Sequence, residues 1–224
     1  MEKHIFRTLV QGNPNVGLFG FANDNFCLVG EEFSDAQVKD IEEVLKVPVH
    51  RITMCGTSLV GVFVAGNNNV LLVPSIAFDY ELKKLEELKI NYVVIDSELT
   101  ALGNNISCTD HGCLINKEFK PEQKNQIRDA VKVPMETGTV DNFNIVGSMI
   151  SCNSSHGIVS RDISPEEKQV GERVLGIPLL ESSVNIGSPH IHSGMFCNKN
   201  GFVISSSTTG PEITNIDEGL GFIE

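Results

Sequence analysis

One short phrase returns along the chain and predicts a repeat architecture. LKVPVHRIT begins at Leu45, VKVPMETGT at Val131 and LGIPLLESS at Leu175, and each reads apolar, any residue, apolar, Pro. The starting positions differ by 86 and 44 residues, and 86 is twice 43. Self-similarity at a period of about 20–50 residues is typical of propellers, solenoids and related arrays. The spacing therefore predicts units of about 43 residues, with one copy between the first two that lacks the proline.

Each predicted copy begins with two short strands joined by a polar turn. Between the two apolar runs lie residues such as Asn, Asp and Gly, which tolerate a positive φ and so favour hairpins. The turns are Asn23-Asp24-Asn25, Asn67-Asn68-Asn69, Asp110-His111-Gly112, Ser155-His156-Gly157 and Lys199-Asn200-Gly201. The glycines predicted to open the first strand of each copy recur at intervals of 42 to 47 residues and are Gly17, Gly61, Gly103, Gly147 and Gly194.

A helix and a third strand complete each copy. Ser34, Ser164 and Thr209 each stand three residues before Gln or Glu, which is the pattern of a capping box. Asp79 is predicted to cap the second helix, and Pro121 to lie in the first turn of the third. The proline of the recurring phrase ends the helix in three copies and begins the third strand. An apolar run without proline supplies that strand in copy two.

The two ends of the chain predict a closed ring. Copy five has no room for a third strand, because the sequence stops at Glu224 directly after its helix. The run from His4 to Leu9 reads as a strand that belongs to no copy, so we expect it to complete the last sheet. We therefore predict one α/β domain over residues 1–224, with five β-β-α-β units, strands inside and helices outside. A β-propeller has the same repeat length, but its blades contain no helix.

The amino-acid composition limits the kinds of partner and the cellular location that we expect for this chain. The formal net charge is −12, from 17 Lys and Arg against 29 Asp and Glu. This balance argues against binding nucleic acid through its phosphates and is compatible with a basic protein partner. No apolar run approaches the roughly 20 residues of a membrane span, and the first residues lack a signal-peptide core, so we expect a cytoplasmic protein. The six cysteines contain no CxxC pair and are interpreted as free thiols.

Reactive side chains give weak patterns. His190 and His192 would face one side of an extended segment near Cys197, but three ligands fall short of the four of a structural zinc site. Paired carboxylates such as Glu166-Glu167 are interpreted as solvated helix faces, and no glycine-rich loop carries a P-loop lysine. We expect no metal and no cofactor. The cysteines that recur at one position of the first strand, which is typical of packing rather than of a nucleophile, are Cys108, Cys152 and Cys197.

Five loops join the third strand of one copy to the glycine of the next, and in a ring they would share one face. Each alone is typical of a turn. Together they are rich in Asn, Ser and Gly with few charges, which predicts a flat polar docking face for another macromolecule. The loops are Gly12-Asn13-Pro14-Asn15, Cys55-Gly56-Thr57-Ser58, Thr100-Ala101-Leu102, Asp141-Asn142-Phe143-Asn144 and residues 185–190.

Several short motifs, taken in order, resemble the translation initiation factor 6 family of archaea and eukaryotes. The likeness runs from about Asn15 to about Phe222 and fits the archaeal type better, since eukaryotic members carry a further tail. It implies the five-fold pseudo-symmetric α/β propeller called the pentein fold. The motifs are LTALGN at 99–104, CTD at 108–110, LLVP at 71–74, VGS at 146–148, VN at 184–185 and GS at 187–188.

The resemblance also implies a function that the repeat does not reveal. Such factors bind the large ribosomal subunit and sterically prevent its association with the small subunit, with a role in large-subunit biogenesis and with no catalysis or cofactor. The implied partners are basic ribosomal proteins with minor rRNA contact, with no membrane and no small-molecule substrate, and we expect a monomer. The implied ribosome-binding residues are Asn15, Ser58, Asn104, Asn105, Asn142, Asn144, Asn185 and His190.

Two features complicate the last loop and the fold-level assignment. His190 stands where the resemblance leads us to expect a small or apolar residue, and His192 is also unusual.

Pentein enzymes that modify guanidino groups share the fold and use a late Cys nucleophile with a His and acidic residues. They need a central pocket, usually with loops inserted between repeats, and the copies here carry no insertion. The corresponding residues of this alternative would be Cys197, His156 or His111, and Asp110.

Overall fold

The computed structural model describes residues 3–223, and within them fifteen strands pair into five three-stranded sheets. In each sheet an antiparallel hairpin is joined by a third strand that runs parallel to the second. The strands are Ile5–Thr8, Gly20–Ala22, Cys27–Val29, Val49–Arg51, Ala65–Gly66, Leu71–Pro74, Tyr92–Ile95, Ile106–Cys108, Cys113–Asn116, Met135–Gly138, Ile150–Cys152, Gly157–Ser160, Leu179–Ser182, Met195–Asn198 and Gly201–Ser205.

The first strand of the chain completes the last sheet. Strand β1 (Ile5–Thr8) pairs in parallel with β15 (Gly201–Ser205), and the register sets Ile5 opposite Phe202. Backbone hydrogen bonds extend the pairing, because the N–H of Phe202 donates to the carbonyl of His4 at 2.9 Å. The prediction that the first strand completes the last sheet is confirmed. The predicted five-fold pseudo-symmetric α/β propeller, or pentein fold, is confirmed with it.

A long helix follows the second strand of each sheet, as predicted. Ser34 and Ser164 are N-caps whose hydroxyls accept a backbone N–H three residues on, which confirms two predicted capping boxes. Pro121 is the first residue of its helix, as predicted. Asp79 is not a cap but the first helical residue, because Phe78 holds the N-cap position. The long helices are Asp35–Leu45, Asp79–Glu87, Pro121–Val131, Pro165–Leu175 and Gly210–Gly219.

Five one-turn helices, which the sequence patterns did not predict, form a ring around the axis. Each contacts the helix before it and the helix after it, and the fifth contacts the first. We number the units 1 to 5 by these helices. Within residues 3–223, none of the helices, long or short, has the length and hydropathy to cross a bilayer. The one-turn helices are Val16–Phe19, which is a 3₁₀ turn, and Val60–Phe63, Leu102–Asn105, Val146–Met149 and Ile191–Gly194.

The glycines predicted to open strands lie instead at the second position of the one-turn helices, where backbones touch. A Cβ on Gly61 would lie 2.0 Å from the carbonyl oxygen of Gly17, and one on Gly103 would lie 2.0 Å from that of Gly61. No side chain fits such a gap. The fifth unit differs, because its second position is His192 and Gly194 ends the helix. The predicted start of the fifth copy therefore shifts by two residues.

His192 is held inside the ring by a bond to another unit. Its Nε2 lies 3.2 Å from the carbonyl oxygen of Gly61, which only accepts, so Nε2 carries the proton. Burial lowers the pKa of His192, because the imidazolium form would lose its hydration there. A neutral imidazole thus fills the place that the other four units leave to glycine.

Each hydrophobic core cluster lies between two units rather than inside one. The cluster around the first long helix contains Ile41, Val44 and Leu45 of unit 1 together with Phe196 and Val203 of unit 5. The other four clusters likewise combine residues of neighbouring units. A unit alone would expose the apolar side chains that it contributes to these shared clusters, so the packing that excludes water depends on its neighbours.

Replacing Gly61 with Ala should destabilise the whole ring. The added Cβ would meet the carbonyl oxygens of Gly17 at 2.0 Å and Gly20 at 2.6 Å, and backbone cannot withdraw as a flexible side chain can. We expect the free energy of unfolding in urea to fall by about 3 kcal/mol or more. Gly210→Ala is the matched control, because a Cβ there meets nothing within 4 Å. Equal stability of the two variants would contradict the packing of the axis.

Candidate functional site

The five loops predicted to form a docking face precede the five one-turn helices and so surround one end of the axis. We call this end the loop face. Four of the loops are tight turns, each closed by a backbone bridge at its base. The residues inside these turns have positive φ, a conformation that is costly for most side chains. The bridges join Val10 to Asn13, Met54 to Thr57, Val140 to Phe143 and Val184 to Ser188.

A carboxylate from the long helix of the same unit holds three of these turns. The side chain of Glu81 accepts the backbone N–H groups of Cys55 at 2.8 Å and Gly56 at 2.9 Å. Glu167 does the same for residues 141 and 142, at 3.0 and 2.9 Å. Glu212 accepts the N–H groups of residues 186 and 187 at 3.3 and 2.8 Å. Each glutamate is the third residue of its helix, and its carboxylate also accepts the backbone N–H of the N-cap residue.

Two of these glutamates stay ionised far into the acid range. Glu212 is 8% exposed, and burial alone would raise its pKa. Hydrogen bonds from Thr209, Ser183 and Gly187 to the carboxylate outweigh burial and hold the pKa at about 2. For Glu167 the same competition between burial and donated hydrogen bonds, with Thr139 and Asn142 among the donors, also gives a pKa of about 2. The interpretation of Glu167 as part of a solvated helix face is therefore wrong.

The predicted contact residues differ in their exposure. Asn142 and His190 are exposed, and Asn15, Ser58, Asn104, Asn144 and Asn185 are half-buried. Asn105 is only 5% exposed. Its amide donates to the carbonyl of Ala101 at 2.8 Å and accepts from Asn116 at 2.7 Å. Both polar atoms of the Asn105 side chain are therefore used inside the chain, and its predicted exposure on the docking face is wrong.

Several of these side chains bind one loop to its neighbour. The amide of Asn185 donates to the carbonyl of Pro14 at 3.2 Å, which ties the fifth loop to the first. Asn144 donates to Glu118 of unit 3 at 2.8 Å. His190 Nδ1 lies 3.3 Å from the hydroxyl of Ser148 in unit 4. These bonds span unit boundaries, so the loop face behaves as one surface and not as five separate turns.

The loop face is less uniformly polar than the sequence suggested. Phe143 is 55% exposed and Ile186 is 77% exposed, both at the tips of turns. Ile186 has φ 65, which is unusual for a β-branched residue. Its N–H is held by Glu212. The periodic patterns did not reveal these tips, because an apolar residue in a polar loop resembles a core residue when only its type is known.

The residues that a guanidino-modifying enzyme would need, Cys197 with a histidine and Asp110, do not come together in the structure. Burial raises the pKa of the Cys197 thiol to about 12, so the thiolate needed for attack is absent near neutral pH. His111 packs beside Gly176 and His156 beside Gly221, at hairpin turns of different units. The Asp110 carboxylate accepts the backbone N–H and the amide of Asn68 at 3.0 and 2.6 Å. Within residues 3–223, none of these groups forms a hydrogen bond with Cys197.

His190 and His192, which the sequence places near Cys197, lie in different environments. They lie at the start of a one-turn helix and not on an extended segment, so the predicted geometry is wrong. His190 is exposed on the loop face, whereas His192 is half-buried in the ring, with its Nε2 3.2 Å from the carbonyl oxygen of Gly61. In the part of the chain that the structure describes, no three His, Cys, Asp or Glu side chains are grouped to hold a metal ion.

Replacing Glu212 with Gln should destabilise the protein at neutral pH, because an amide cannot accept the N–H groups of the turn as a carboxylate does. We expect a loss of about 1–3 kcal/mol in the free energy of unfolding at pH 7. The folded-state pKa of about 2 lies below the ordinary value of 4.5. The contribution is therefore complete above pH 4.5 and is lost as the pH falls towards 2.

The measurement is urea unfolding of wild type and variant at several pH values. Glu218→Gln is the control, because Glu218 is exposed on the same helix. A difference from wild type that stays constant from pH 7 to pH 2.5 would show that the Glu212 carboxylate does not hold the turn.

Sequence comparisons identify close relatives along nearly the full chain. A family model described as the eIF-6 family matches residues 5–219. Proteins named translation initiation factor 6 from Thermococcus gammatolerans and Pyrococcus furiosus are 37% and 35% identical over 98% of this chain, covering 99% and 100% of those proteins. The protein of the same name from Natronomonas pharaonis is 32% identical, with 98% of this chain and 100% of the relative covered.

Two solved structures are similar to this chain at low sequence identity. DDAH from Pseudomonas aeruginosa in complex with citrulline has a TM-score of 0.44 and 12% identity, covering 92% of this chain and 74% of that one. A dimethylarginine dimethylaminohydrolase adduct with S-methyl-L-thiocitrulline has a TM-score of 0.49 and 15% identity, covering 92% and 73%. The family model and the relatives named above, which extend over nearly the whole chain, show that this chain belongs to the eIF-6 family.

Proposed function

We propose that this chain is a translation factor of the archaeal type that binds the large ribosomal subunit and sterically prevents its association with the small subunit. We include a role in large-subunit biogenesis and a cytoplasmic location in the proposal. The relatives that are named translation initiation factor 6 support it. The structural observation that carries it is a closed ring of five one-turn helices that presents five loops at one end of the axis.

The stiffness of the loop face favours a steric mechanism. A blocking factor must occupy a fixed area, and a surface that deforms would let the small subunit approach. Three turns are held by buried or half-buried carboxylates, and bonds such as that from Asn185 to Pro14 join neighbouring loops. Preorganised loops lose little conformational entropy when they dock, so the binding energy is retained.

The charge of the chain favours basic ribosomal proteins over bare rRNA as the main partner, with minor rRNA contact. The net charge is −12, and a surface of that sign is repelled by phosphates and attracted by Lys-rich or Arg-rich proteins. The contact residues that we propose, after removal of the buried Asn105, are Asn15, Ser58, Asn104, Asn142, Asn144, Asn185 and His190.

The guanidino-modifying hydrolase is not supported by any side-chain geometry in residues 3–223. Cys197 is a buried thiol whose Sγ lies 3.7 Å from the hydroxyl of Ser151, and it lacks a hydrogen-bonded base. We propose that the chain acts by binding as a monomer, without cofactor or small-molecule substrate.

The test is co-sedimentation with purified archaeal large subunits at physiological salt, followed by addition of small subunits. We expect the wild-type protein to pellet with the large subunits and to reduce subunit joining. His190→Arg should weaken binding by about tenfold, because it adds a positive charge to a face that meets a basic partner.

His111→Arg is the matched control. It makes the same substitution at an exposed histidine in a hairpin turn, at the opposite end of the axis. We expect it to bind as the wild type does. Wild-type protein that stays in the supernatant, or subunits that join unimpeded, would refute the proposed function. Equal weakening by both arginine variants would refute the assignment of the loop face.

A further inference from the structure

Three exposed apolar side chains precede and open the long helix of unit 2. Ile76 is 49% exposed, Phe78 is 51% exposed and Tyr80 is 59% exposed. The rings of Phe78 and Tyr80 stack with centroids 5.6 Å apart and planes 11° from parallel. We call these three residues the unit 2 patch. Stacked aromatic rings that both face solvent do little for the core, so their presence calls for a reason outside folding.

The other four units provide an internal comparison. Each long helix has a defined N-cap residue, so equivalent positions can be read directly by counting from the N-cap. At none of the three positions does another unit place a large apolar residue. Ile76 corresponds to Glu32, Glu118, Asp162 and Ser207; Phe78 to Ser34, Lys120, Ser164 and Thr209; and Tyr80 to Ala36, Glu122, Glu166 and Pro211.

Phe78 also replaces a residue type that would stabilise its own helix. It holds the N-cap position, where Ser34 and Ser164 accept a helix N–H with their hydroxyls. A phenyl group cannot accept that bond, so unit 2 gives up a cap that two sister units have. Stability of the fold therefore does not explain the aromatic side chain at this position.

The surroundings of the patch supply carboxylates. Asp79 lies between the two aromatic residues in sequence and is exposed. Asp96 reaches the hydroxyl of Ser75 at 3.4 Å, at the start of the same segment. The lysines of this helix, Lys83 and Lys84, begin one turn further along.

The patch adjoins the loop face. A Cβ on Gly56 would lie 2.9 Å from the ring of Phe78, so this ring covers the turn of the second loop. The patch therefore lies at the edge of the loop face, where a partner segment that extends beyond this face would lie.

We propose that the unit 2 patch binds an arginine-bearing segment of a basic protein. A guanidinium group stacks on aromatic faces through its plane, and it pairs with carboxylates through its fork of N–H donors. Phe78 and Tyr80 provide the faces, Asp79 and Asp96 the carboxylates, and Ile76 an apolar contact for the stem of the side chain. Lysine would make the ion pair without the planar stacking.

Two other occupants fit the observations less well. An RNA base would stack on the rings, but its phosphates would meet Asp79 and Asp96 on a chain of net charge −12. A second copy of this chain would bring the same carboxylates together. Three half-exposed side chains are also far fewer than the roughly 20–30 residues that each partner contributes to a stable interface.

The unit 2 patch is independent of the proposed ribosomal function. Its stacked rings, its neighbouring carboxylates and its difference from the other four units are features of the chain itself. A chain that failed to sediment with ribosomes would still carry the patch.

The test uses the full chain and two synthetic peptides of equal length and charge, one an Arg-Gly repeat and one a Lys-Gly repeat. Each is titrated at physiological salt and followed by tyrosine fluorescence, since the chain has two Tyr and no Trp, and by the NMR signals of the Phe78 and Tyr80 rings. We expect the Arg-Gly peptide to bind about tenfold more tightly than the Lys-Gly peptide and to shift the ring signals of both residues.

The variant is the triple substitution I76S/F78S/Y80A, and NMR signals or isothermal calorimetry report its binding. Each new residue is one that a sister unit has at that position, and the net charge does not change. Phe78→Ser restores a cap, so we expect the melting temperature to be equal or higher. Affinity for the Arg-Gly peptide should fall about tenfold, to the level of the Lys-Gly peptide. Phe143→Ser, at an exposed aromatic elsewhere, should bind as wild type does.

Three outcomes would overturn the proposal. The first is equal affinity of wild type and triple variant for the Arg-Gly peptide, which would reduce binding to general charge attraction. The second is an unstructured RNA oligonucleotide that binds more tightly than the peptide and loses affinity in the triple variant. The third is self-association of the wild type, by analytical ultracentrifugation, that the triple variant abolishes.

Discussion

The close approach of backbones at the axis is the constraint on which the rest of the structure depends. A Cβ at Gly17, Gly61, Gly103 or Gly147 would lie within about 2 Å of a carbonyl oxygen of the adjacent unit. This contact brings the one-turn helices together, fixes where the loops begin and allows the first strands of neighbouring sheets to meet. His192 shows that one imidazole is tolerated where the ring also gains a hydrogen bond, to the carbonyl of Gly61.

The loop face is positioned from two directions. The one-turn helices that follow the loops set the spacing between them. The carboxylates of three long helices hold the turns through hydrogen bonds. Units 1 and 3 use glutamine at the same helical position, and Gln37 donates to the carbonyl of Leu9 at 2.9 Å. Positive φ at residues such as Ile186 is sustained because the surrounding bonds over-determine it. The turns that carry the exposed side chains of Phe143 and Ile186 are thus fixed by carboxylates of the chain itself.

Much of the fold could be predicted from sequence, because hairpin turns, capping boxes and a returning phrase are local signals that repeat. The closure by β1 followed from counting strands, and the pairing with β15 confirms it. The one-turn helices could not be predicted, since a segment of four residues shows no periodicity. The glycines in these helices are required by the close backbone of the adjacent unit, which a local pattern does not show. The burial of Asn105 and the hydrogen bonds from the turn to Glu167 depend on tertiary contacts. The family resemblance therefore could not show that Asn105 is buried, and the residue pattern could not show that Glu167 holds a turn. The family resemblance, rather than any pattern, indicated the ribosome.

Completion of the fifth sheet by β1 has a consequence for how the molecule is made. The partner strand, β15, ends at Ser205 of a 224-residue chain, so the pairing joins segments almost 200 residues apart. Contacts of such sequence separation form late and slowly. Until β15 has been synthesised and has left the polypeptide tunnel, the last sheet is incomplete and the ring stays open. Closure of the ring therefore waits for the strand that is made last among the fifteen, and the rigid loop face can form only after it.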